Sequence, residues 1–202
     1  MERVFFKPWI GEEYKKTGLL VLGESAYGWR DEHGDIVEPS SDHPTGVVRC
    51  WGIEHFGKRG YHTAMSRALS GKEAPTLKER ENAWKRVAFT EFIQSTVGVG
   101  AGRAPTSKQI DVARELFLPF LETFRPLKVL ITGKRMWNDY LPGCNGPHIC
   151  DDLQAYRLAD GTLVWCLAVP HPANRQKGVG FPWARIGESI RVFVATSFPT
   201  RG

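Results

Sequence analysis

Two short apolar runs that each end in glycine constrain the fold of this chain more than any other feature. They read GLLVLG at residues 18–23 and KVLITG at residues 128–133. Continuous apolar runs of this length are typical of parallel strands that are buried on both faces of a sheet. The segments VAFTEF at 87–92 and LVWCLAV at 163–169 have a similar character. The sequence therefore predicts four strands in one sheet.

Helical patterns alternate with these strands. The clearest spans residues 107–124, where apolar residues recur at helical spacing, Thr106 or Ser107 can cap the start, and Pro126 ends the helix. Weaker helices are predicted at 63–69, 76–86, 134–140 and 182–196. Strands that alternate with helices predict an α/β fold: a three-layer α/β/α sandwich around a central, mainly parallel four-stranded sheet, in a single domain over residues 1–202.

Polar segments between these elements are predicted as loops. Residues 24–46 and 94–106 are rich in glycine, proline and short polar side chains, which favour irregular structure. Residues 153–158 and 163–169 flank Gly161 and are predicted to pair as a hairpin. In an open parallel sheet the ligand lies beyond the carboxyl ends of the strands, so the segments that follow the buried strands are where we expect a site.

Composition restricts the class of protein. The 202 residues carry a net charge of +5, which suits a protein that contacts phosphate groups. The sequence has no apolar run of the roughly 20 residues that a membrane span needs, and its N-terminal residues do not have the pattern of a signal peptide. We therefore expect a cytoplasmic protein without a membrane partner.

The four cysteines, Cys50, Cys144, Cys150 and Cys166, contain no C-x-x-C pair. A chain of this length needs no disulfide, so free thiols in a reducing compartment are predicted. Cys144 and Cys150 flank His148, but the spacing matches no standard zinc module. No metal or other cofactor is expected.

Three segments follow or end predicted strands: GESAYG at 23–28, FTEFIQ at 89–94 and VPHPAN at 169–174. In this order they resemble the motifs of the uracil-DNA glycosylase superfamily. That family has a G-[QE]-x-x-[YG] segment after its first strand, a mid-chain strand that ends in a base-reading residue, usually Asn, and a late H-P-[ST] segment. The run FRPLKVLITGKRMW is similar to the strand and helix between the second and third motifs. The resemblance extends from about Leu19 to about Ile190.

The resemblance implies a monofunctional DNA glycosylase that hydrolyses the N-glycosidic bond of uracil, or of a related damaged or deaminated base, in base excision repair. Its partner is DNA that contains the modified base, and a monomer without a cofactor suits this activity. The base reacts only after it is flipped out of the duplex. Cleavage leaves an oxocarbenium-like sugar and an anionic base, so the site must stabilise the anion, read the base, stack on it and place a water.

The catalytic residues that the resemblance implies are His171 and Glu24. His171 stands at the histidine of the H-P-[ST] segment, which donates a hydrogen bond to a pyrimidine carbonyl as charge builds there. Glu24 stands at the Gln or Glu of the first motif, where a carboxylate orients the water or offsets the positive charge of the sugar. The structural alternatives are a His171 that caps a turn between prolines, and a Glu24 that caps a helix or forms a loop ion pair.

The implied base-binding residues are Gly23, Ser25, Tyr27, Phe89 and Glu91. Gly23 lets the backbone approach the base closely. Tyr27 stands where some members of the family block the 5-methyl group of thymine. Ser25 and Ala26 stand where the most active members have a water-activating Asp, and neither is a useful base. A dissociative mechanism, in which electrostatic stabilisation does most of the work, is therefore expected.

Glu91 is the larger departure from the family pattern, because it replaces the usual base-reading Asn. An ionised carboxylate only accepts hydrogen bonds, whereas Asn accepts from the ring NH of uracil and donates to its carbonyl. A protonated Glu91 does both, if burial raises its pKa. The alternatives are a base with an exocyclic amine, base reading by Asn138 or Asn174, and a Glu91 side chain that points away into an ion pair.

Aromatic and basic side chains complete the predicted site. Phe89, or alternatively Phe92, is placed to stack on the flipped ring, with core packing as the alternative for each. The predicted DNA contacts are Arg103 in a glycine-rich loop and Asn174, Arg175 and Lys177 in the loop after His171.

Two other classes of protein compete with the glycosylase. The first is a catalytically inactive or weakly active nucleic-acid-binding protein on the same fold, which the departures at Ser25 and Glu91 favour. The second is a small-molecule hydrolase with Ser25 or Cys166 as nucleophile, although the sequence around Ser25 does not match the nucleophile-elbow pattern G-x-S-x-G.

Overall fold

The computed structural model of the protein describes residues 6–57, 60–100, 102–174 and 182–201. Within these ranges the strands are β1 (Trp9–Ile10), β2 (Leu19–Arg30), β3 (Ile36–Val37), β4 (Val87–Val99), β5 (Lys128–Thr132), β6 (His148–Cys150), β7 (Leu153–Arg157) and β8 (Leu163–Val169). The helices are α1 (Tyr14–Thr17), α2 (His43–Val47), α3 (Gly60–Ser70), α4 (Leu77–Trp84), α5 (Ser107–Phe124) and α6 (Trp183–Ala195), with π-helical turns at Val48–Ile53 and Met136–Tyr140. None of the described helices is long and apolar enough to cross a membrane.

The strands form one mixed sheet in the order β1-β4-β2-β5-β8-β7-β6, and β3 pairs with β2 outside this path. The four predicted strands, β2, β4, β5 and β8, are its parallel centre. Helices pack on both faces, which confirms an α/β fold with a mainly parallel sheet. The sheet is larger than the four strands that the sequence predicts, because antiparallel strands extend both edges. The predicted hairpin of β7 and β8 is confirmed.

β2 and β4 continue well past their predicted ends. The prediction of loops directly after Gly23 and Phe92 is wrong, because the two strands stay paired from Gly23 opposite Glu91 to Gly28 opposite Val99. Two register shifts interrupt this ladder. Polar and glycine residues remain extended here because each strand supplies backbone partners to the other, a contact that local sequence does not reveal.

The central strands are buried on both faces. Leu20 of β2 belongs to an apolar cluster that contains Phe117 of α5. Val21 belongs to a second cluster, which contains Met65 of α3 and Ile190 of α6. Successive side chains of a strand point to opposite faces, so this division places α5 on one side of the sheet and α3 with α6 on the other.

Helix α5 spans the predicted residues, and its ends have local causes. The Thr106 hydroxyl accepts a hydrogen bond from the Gln109 backbone NH at 3.3 Å, and the Gln109 side-chain oxygen accepts one from the Thr106 NH at 3.0 Å. This reciprocal pair satisfies two amide groups at the start of the helix. Arg125 ends the helix in a left-handed conformation with φ of 54°, and Pro126 follows it.

Trp84 fills the interior beside the π-helical turn Val48–Ile53. Its side chain has no exposed surface, and its indole NH donates a hydrogen bond to the Ser66 hydroxyl at 2.9 Å. Gly52 approaches the ring so closely that a Cβ atom at this position would lie 2.7 Å from the indole nitrogen. Gly46 in α2 has no atom within 4 Å of such a Cβ, so the two glycines differ in the space that they have for a methyl group.

We predict opposite effects of alanine at these two glycines. Gly52→Ala should lower the free energy of unfolding by about 1–3 kcal/mol, because the methyl group displaces a buried indole. Gly46→Ala should raise it by up to about 1 kcal/mol, because alanine is favoured in a helix that has room for it. Urea denaturation of both variants measures the difference, and a Gly52→Ala variant as stable as the wild type contradicts this packing.

Candidate active site

The parallel strands bring the candidate residues to one edge of the sheet. β2 pairs with β5 only as far as Leu22, so Glu24 lies two residues beyond the last residue paired with β5. Gly23 pairs with Glu91 of β4, and β8 ends two residues before His171. This is the edge where an open parallel sheet holds its ligand.

The His171 ring is half-buried, and its hydrogen bonding fixes its tautomer. Nδ1 accepts a hydrogen bond from the Ala173 backbone NH at 3.3 Å, so the proton of the neutral ring lies on Nε2. Burial lowers the pKa of His171, the Glu24 carboxylate raises it in part, and the Arg135 guanidinium lowers it. The ring is neutral at neutral pH, and it lies close enough to Glu24 for the two side chains to interact electrostatically.

Glu24 forms an ion pair with Arg135, a residue that the sequence analysis does not identify. The Arg135 guanidinium donates to Glu24 Oε1 at 2.5 Å, and the Glu24 side chain is only 10% exposed. This hydrogen bond is the largest cause of a raised pKa for Arg135, and the Tyr140 and Tyr27 hydroxyls contribute to it. Tyr27 is half-buried near this pair. Because Glu24 lies within β2, it does not cap a helix. The ion pair with Arg135 is therefore its structural alternative to a catalytic role.

Glu91 is buried against the backbone of Gly23. A Cβ atom at Gly23 would lie 2.2 Å from Glu91 Oε2 and 3.2 Å from the Phe89 ring, so only glycine fits here. Among the described residues, no side chain or backbone group forms a hydrogen bond with the Glu91 carboxyl group or an ion pair with it. Burial, and to a lesser extent the Glu24 carboxylate, raise the pKa of Glu91 to about 8. The group is therefore mostly protonated at neutral pH.

Tyr61, at the start of α3, is a second residue that the sequence analysis does not identify. Its ring centre lies 5.5 Å from that of His171 and 6.1 Å from that of Phe89. Its hydroxyl lies 2.8 Å from Thr132 Oγ1, which itself donates to the Leu22 carbonyl at 2.7 Å. Tyr61 is therefore the donor to Thr132. The weak helical pattern that begins at residue 63 gave no sign that α3 starts early enough to place this ring in the site.

Phe89 and Phe92 lie in different parts of the core. Phe89 has no exposed surface and packs edge-on against Trp84 at 6.0 Å between ring centres. Phe92 packs against Phe117 of α5 at 5.9 Å. Core packing thus accounts for both rings, and Phe89 borders the site only through Gly23 and Tyr61. Of the aromatic side chains, Tyr61 is the one in ring contact with His171 within the described residues.

Ser25 and Cys166 lack the surroundings of nucleophiles. Ser25 is 9% exposed, and its hydroxyl has no hydrogen-bond partner among the described residues. Cys166 lies in the core, and burial raises the pKa of its thiol. A reactive cysteine needs a lowered pKa and access to solvent. These placements argue against the small-molecule hydrolase.

Two of the predicted DNA contacts lie on the described surface. Arg103 is exposed, and its side chain packs 3.7 Å from the position of a Cβ on Gly98. Asn174 is exposed, and its backbone NH donates to the His171 carbonyl at 3.0 Å. Arg175 and Lys177 lie outside the described residues. Asn138, an alternative base reader, is exposed in the π-helical turn Met136–Tyr140.

The described site holds no evident metal centre, and the chain matches no known family. Among residues 6–57, 60–100, 102–174 and 182–201, no group of three or more His, Cys, Asp and Glu side chains is placed to hold a metal ion. Neither a scan against models of known protein families nor a search of curated proteins finds a match to this chain. The resemblance to the glycosylases therefore depends on the sequence segments alone.

The raised pKa of Glu91 predicts how stability depends on pH. Between the ordinary glutamate pKa of 4.5 and about 8 the folded protein holds a proton that the unfolded chain has lost, so the free energy of unfolding falls as pH rises. Glu91→Gln should remove this fall, which is roughly 3–5 kcal/mol. Urea denaturation at pH 5 and pH 8 measures it. The exposed Glu12→Gln is the control, and an equal pH dependence in wild type and Glu91→Gln would contradict the buried, protonated state.

Proposed function

We propose that this protein is a DNA glycosylase that hydrolyses the N-glycosidic bond of uracil, or of a related deaminated or damaged base, flipped out of DNA. The proposal rests on one observation. His171 and Glu91, both neutral at neutral pH, lie with Glu24 at the carboxyl edge of the parallel strands. Neutral hydrogen-bonding groups suit a neutral base that becomes an anion as the bond breaks.

His171 is the proposed donor to the leaving base. With Nδ1 occupied by the Ala173 NH, the Nε2–H group is the donor that the ring presents. As the bond between the anomeric carbon and the base nitrogen breaks, the electron pair passes to the base and spreads onto its carbonyl oxygens. A donor that is already oriented stabilises this charge without reorganisation.

Glu91 is the proposed base reader in its protonated form. A neutral carboxyl group has one acceptor oxygen and one O–H donor, which match the ring NH and the adjacent carbonyl of uracil. Burial against Gly23 favours this form because it disfavours the charged one. The carboxyl group has no hydrogen-bond partner among the described residues, so a base would supply the partners that it lacks.

Glu24 and Arg135 are proposed to act on the sugar and on the water. Arg135 binds Glu24 Oε1 and holds the carboxylate in one orientation, which leaves Oε2 to accept a hydrogen bond from the attacking water. The water oxygen bonds to the anomeric carbon, and the water loses one proton. The released anionic base takes up one proton in turn. Because Arg135 offsets the charge of Glu24, Glu24 contributes more by positioning the water than by stabilising the positive charge of the sugar.

Tyr61 takes the stacking role that the sequence analysis gave to Phe89. The ring is held by its hydrogen bond to Thr132, and it borders both His171 and Phe89. A base bound between His171 and Glu91 would therefore meet the Tyr61 ring.

A nucleic-acid-binding protein with little or no catalysis is the second candidate. A specific observation favours it, since Ser25, which stands where the family's most active members have a water-activating Asp, is 9% exposed and its hydroxyl has no hydrogen-bond partner among the described residues. A site without a general base at this position would bind DNA and cleave it slowly or not at all.

We predict that the protein excises uracil and that His171→Ala lowers the rate about 10²–10³-fold, because one oriented donor to the anion is lost. Single- and double-stranded oligonucleotides that contain uracil, hypoxanthine, xanthine or 5-hydroxymethyluracil are incubated with the protein and then treated with alkali to break abasic sites. His148→Ala, an exposed histidine on β6, should keep the wild-type rate. Tight, salt-sensitive binding without strand breaks would support the second candidate instead.

The same assay tests Glu91 through pH. Wild-type excision of uracil should fall as pH rises through about 8, where Glu91 loses its proton and with it the donor to the carbonyl. Glu91→Gln should keep activity in this range, because the amide accepts and donates at every pH. An alkaline fall of equal size in the variant would remove Glu91 from the base site.

A further inference from the structure

A cavity of about 230 Å³ lies between α3, α4 and the turn before α3, apart from the candidate active site. It is lined by His55, Thr63, Ser66, Arg67, Glu73, Ala74, Pro75 and Arg80. None of the roles proposed above uses these residues. The cavity has room for more than a water molecule, because one water occupies about 30 Å³ in the liquid.

The charges in its wall favour an anion. Arg67 and Arg80 contribute two guanidinium groups, and Glu73 contributes one carboxylate at the exposed mouth. In the part of the chain that the structure describes, neither arginine forms an ion pair with Glu73 or with another acidic side chain. The wall thus has an excess of positive charge that no described acidic residue neutralises.

Arg80 is a fixed part of this wall. Its Nε donates to the Ile53 carbonyl at 2.6 Å, and its Nη1 donates to the Pro75 carbonyl. These bonds hold the guanidinium plane in place and leave Nη2 as a donor. A guanidinium that is already oriented loses little conformational entropy when it binds an anion.

Among the described residues, nothing forms a hydrogen bond or an ion pair with the Arg67 guanidinium or with the Thr63 hydroxyl. Arg67 follows Thr63 by four residues on α3, so both side chains lie on the same face of the helix. The Thr63 hydroxyl is buried and has no hydrogen-bond partner among the described residues. The neighbouring Ser66 differs, because its hydroxyl accepts from the Trp84 indole and donates to a backbone carbonyl.

We propose that this cavity binds a phosphate group, with Arg67 and Thr63 as donors and Arg80 as a fixed cationic wall. Guanidinium groups match the paired oxygens of phosphate, and a hydroxyl adds a further hydrogen bond. The volume exceeds that of a single phosphate, so an ester substituent fits beside it. A carboxylate ligand would use one guanidinium, whereas a tetrahedral phosphate contacts two from different directions.

The phosphate can come from a DNA strand or from a free phosphate ester. Thr63 follows Tyr61 by two residues on α3, and the Tyr61 ring contacts His171. Two residues advance about 3 Å along the helix axis and about 200° around it, so Thr63 and Tyr61 lie on opposite sides of α3. A strand whose base occupies the candidate active site therefore reaches the cavity only by passing around α3. The DNA source rests on the proposed function, and the phosphate site itself does not.

Calorimetric titration of the full chain with inorganic phosphate tests the site. Arg67→Gln and Thr63→Val should each weaken phosphate binding by about tenfold or more, because each removes a hydrogen bond to a charged group. Arg86→Gln is the matched control, since Arg86 is exposed just before β4 at the opposite edge of the sheet, and it should bind as the wild type does. Thermal melting confirms that the variants are folded, and Arg67→Lys replaces Arg67→Gln if the latter is not.

A wild-type protein that binds no phosphate, or Arg67 variants that bind it as tightly as the wild type, overturns the proposal. A single-stranded oligonucleotide without uracil then identifies the source. Phosphate that competes with the oligonucleotide, together with weaker oligonucleotide binding by Arg67→Gln, assigns the site to the DNA backbone. Oligonucleotide binding that Arg67→Gln leaves unchanged assigns it to a free phosphate ester. Binding is measured without excision, so this test stands even if the protein removes no base.

Discussion

The Glu91 carboxyl group is buried against the backbone of Gly23, where burial disfavours a negative charge, and the strand ends are arranged around it. Gly23 has no side chain because the carboxyl group occupies that space. The same burial raises the pKa of Glu91 to about 8, so a residue that would repel a carbonyl when ionised becomes a donor. In the proposed function, a protonated Glu91 can accept and donate as the asparagine of the glycosylase motif does.

Two opposite electrostatic environments lie within a few residues of each other. Glu24 is paired with Arg135 and sits where a guanidinium offsets its charge. Glu91, one strand away, has no cationic partner among the described residues and remains protonated. Carboxyl groups whose surroundings separate their protonation states are typical of sites that need one charged and one neutral acid. This division supports separate roles for the two residues, one at the sugar and one at the base.

The sequence predicts elements whose start and stop residues lie next to them in the chain. It does not predict elements that depend on residues distant in the sequence. Helix α5 has its predicted bounds because its cap and its stop lie beside it in the chain. The extensions of β2 and β4 were missed because each depends on the other strand. His171, Glu24 and Glu91 were proposed from their match to the glycosylase motifs and their positions after or at the ends of predicted strands, and their roles stay predictions. Tyr61 and Arg135 were not proposed, since a tyrosine at the start of a helix and an arginine after a strand have many ordinary roles.

Thr132 Oγ1 accepts a hydrogen bond from the Tyr61 hydroxyl and donates one to the Leu22 carbonyl. These two hydrogen bonds link α3 to the end of β5 and to β2, elements that lie far apart in the sequence. The orientation of the aromatic ring is therefore anchored to the sheet, and the connecting segments do not set it. Evolution can lengthen or recompose those segments without moving the ring, whereas loss of a single threonine oxygen releases it.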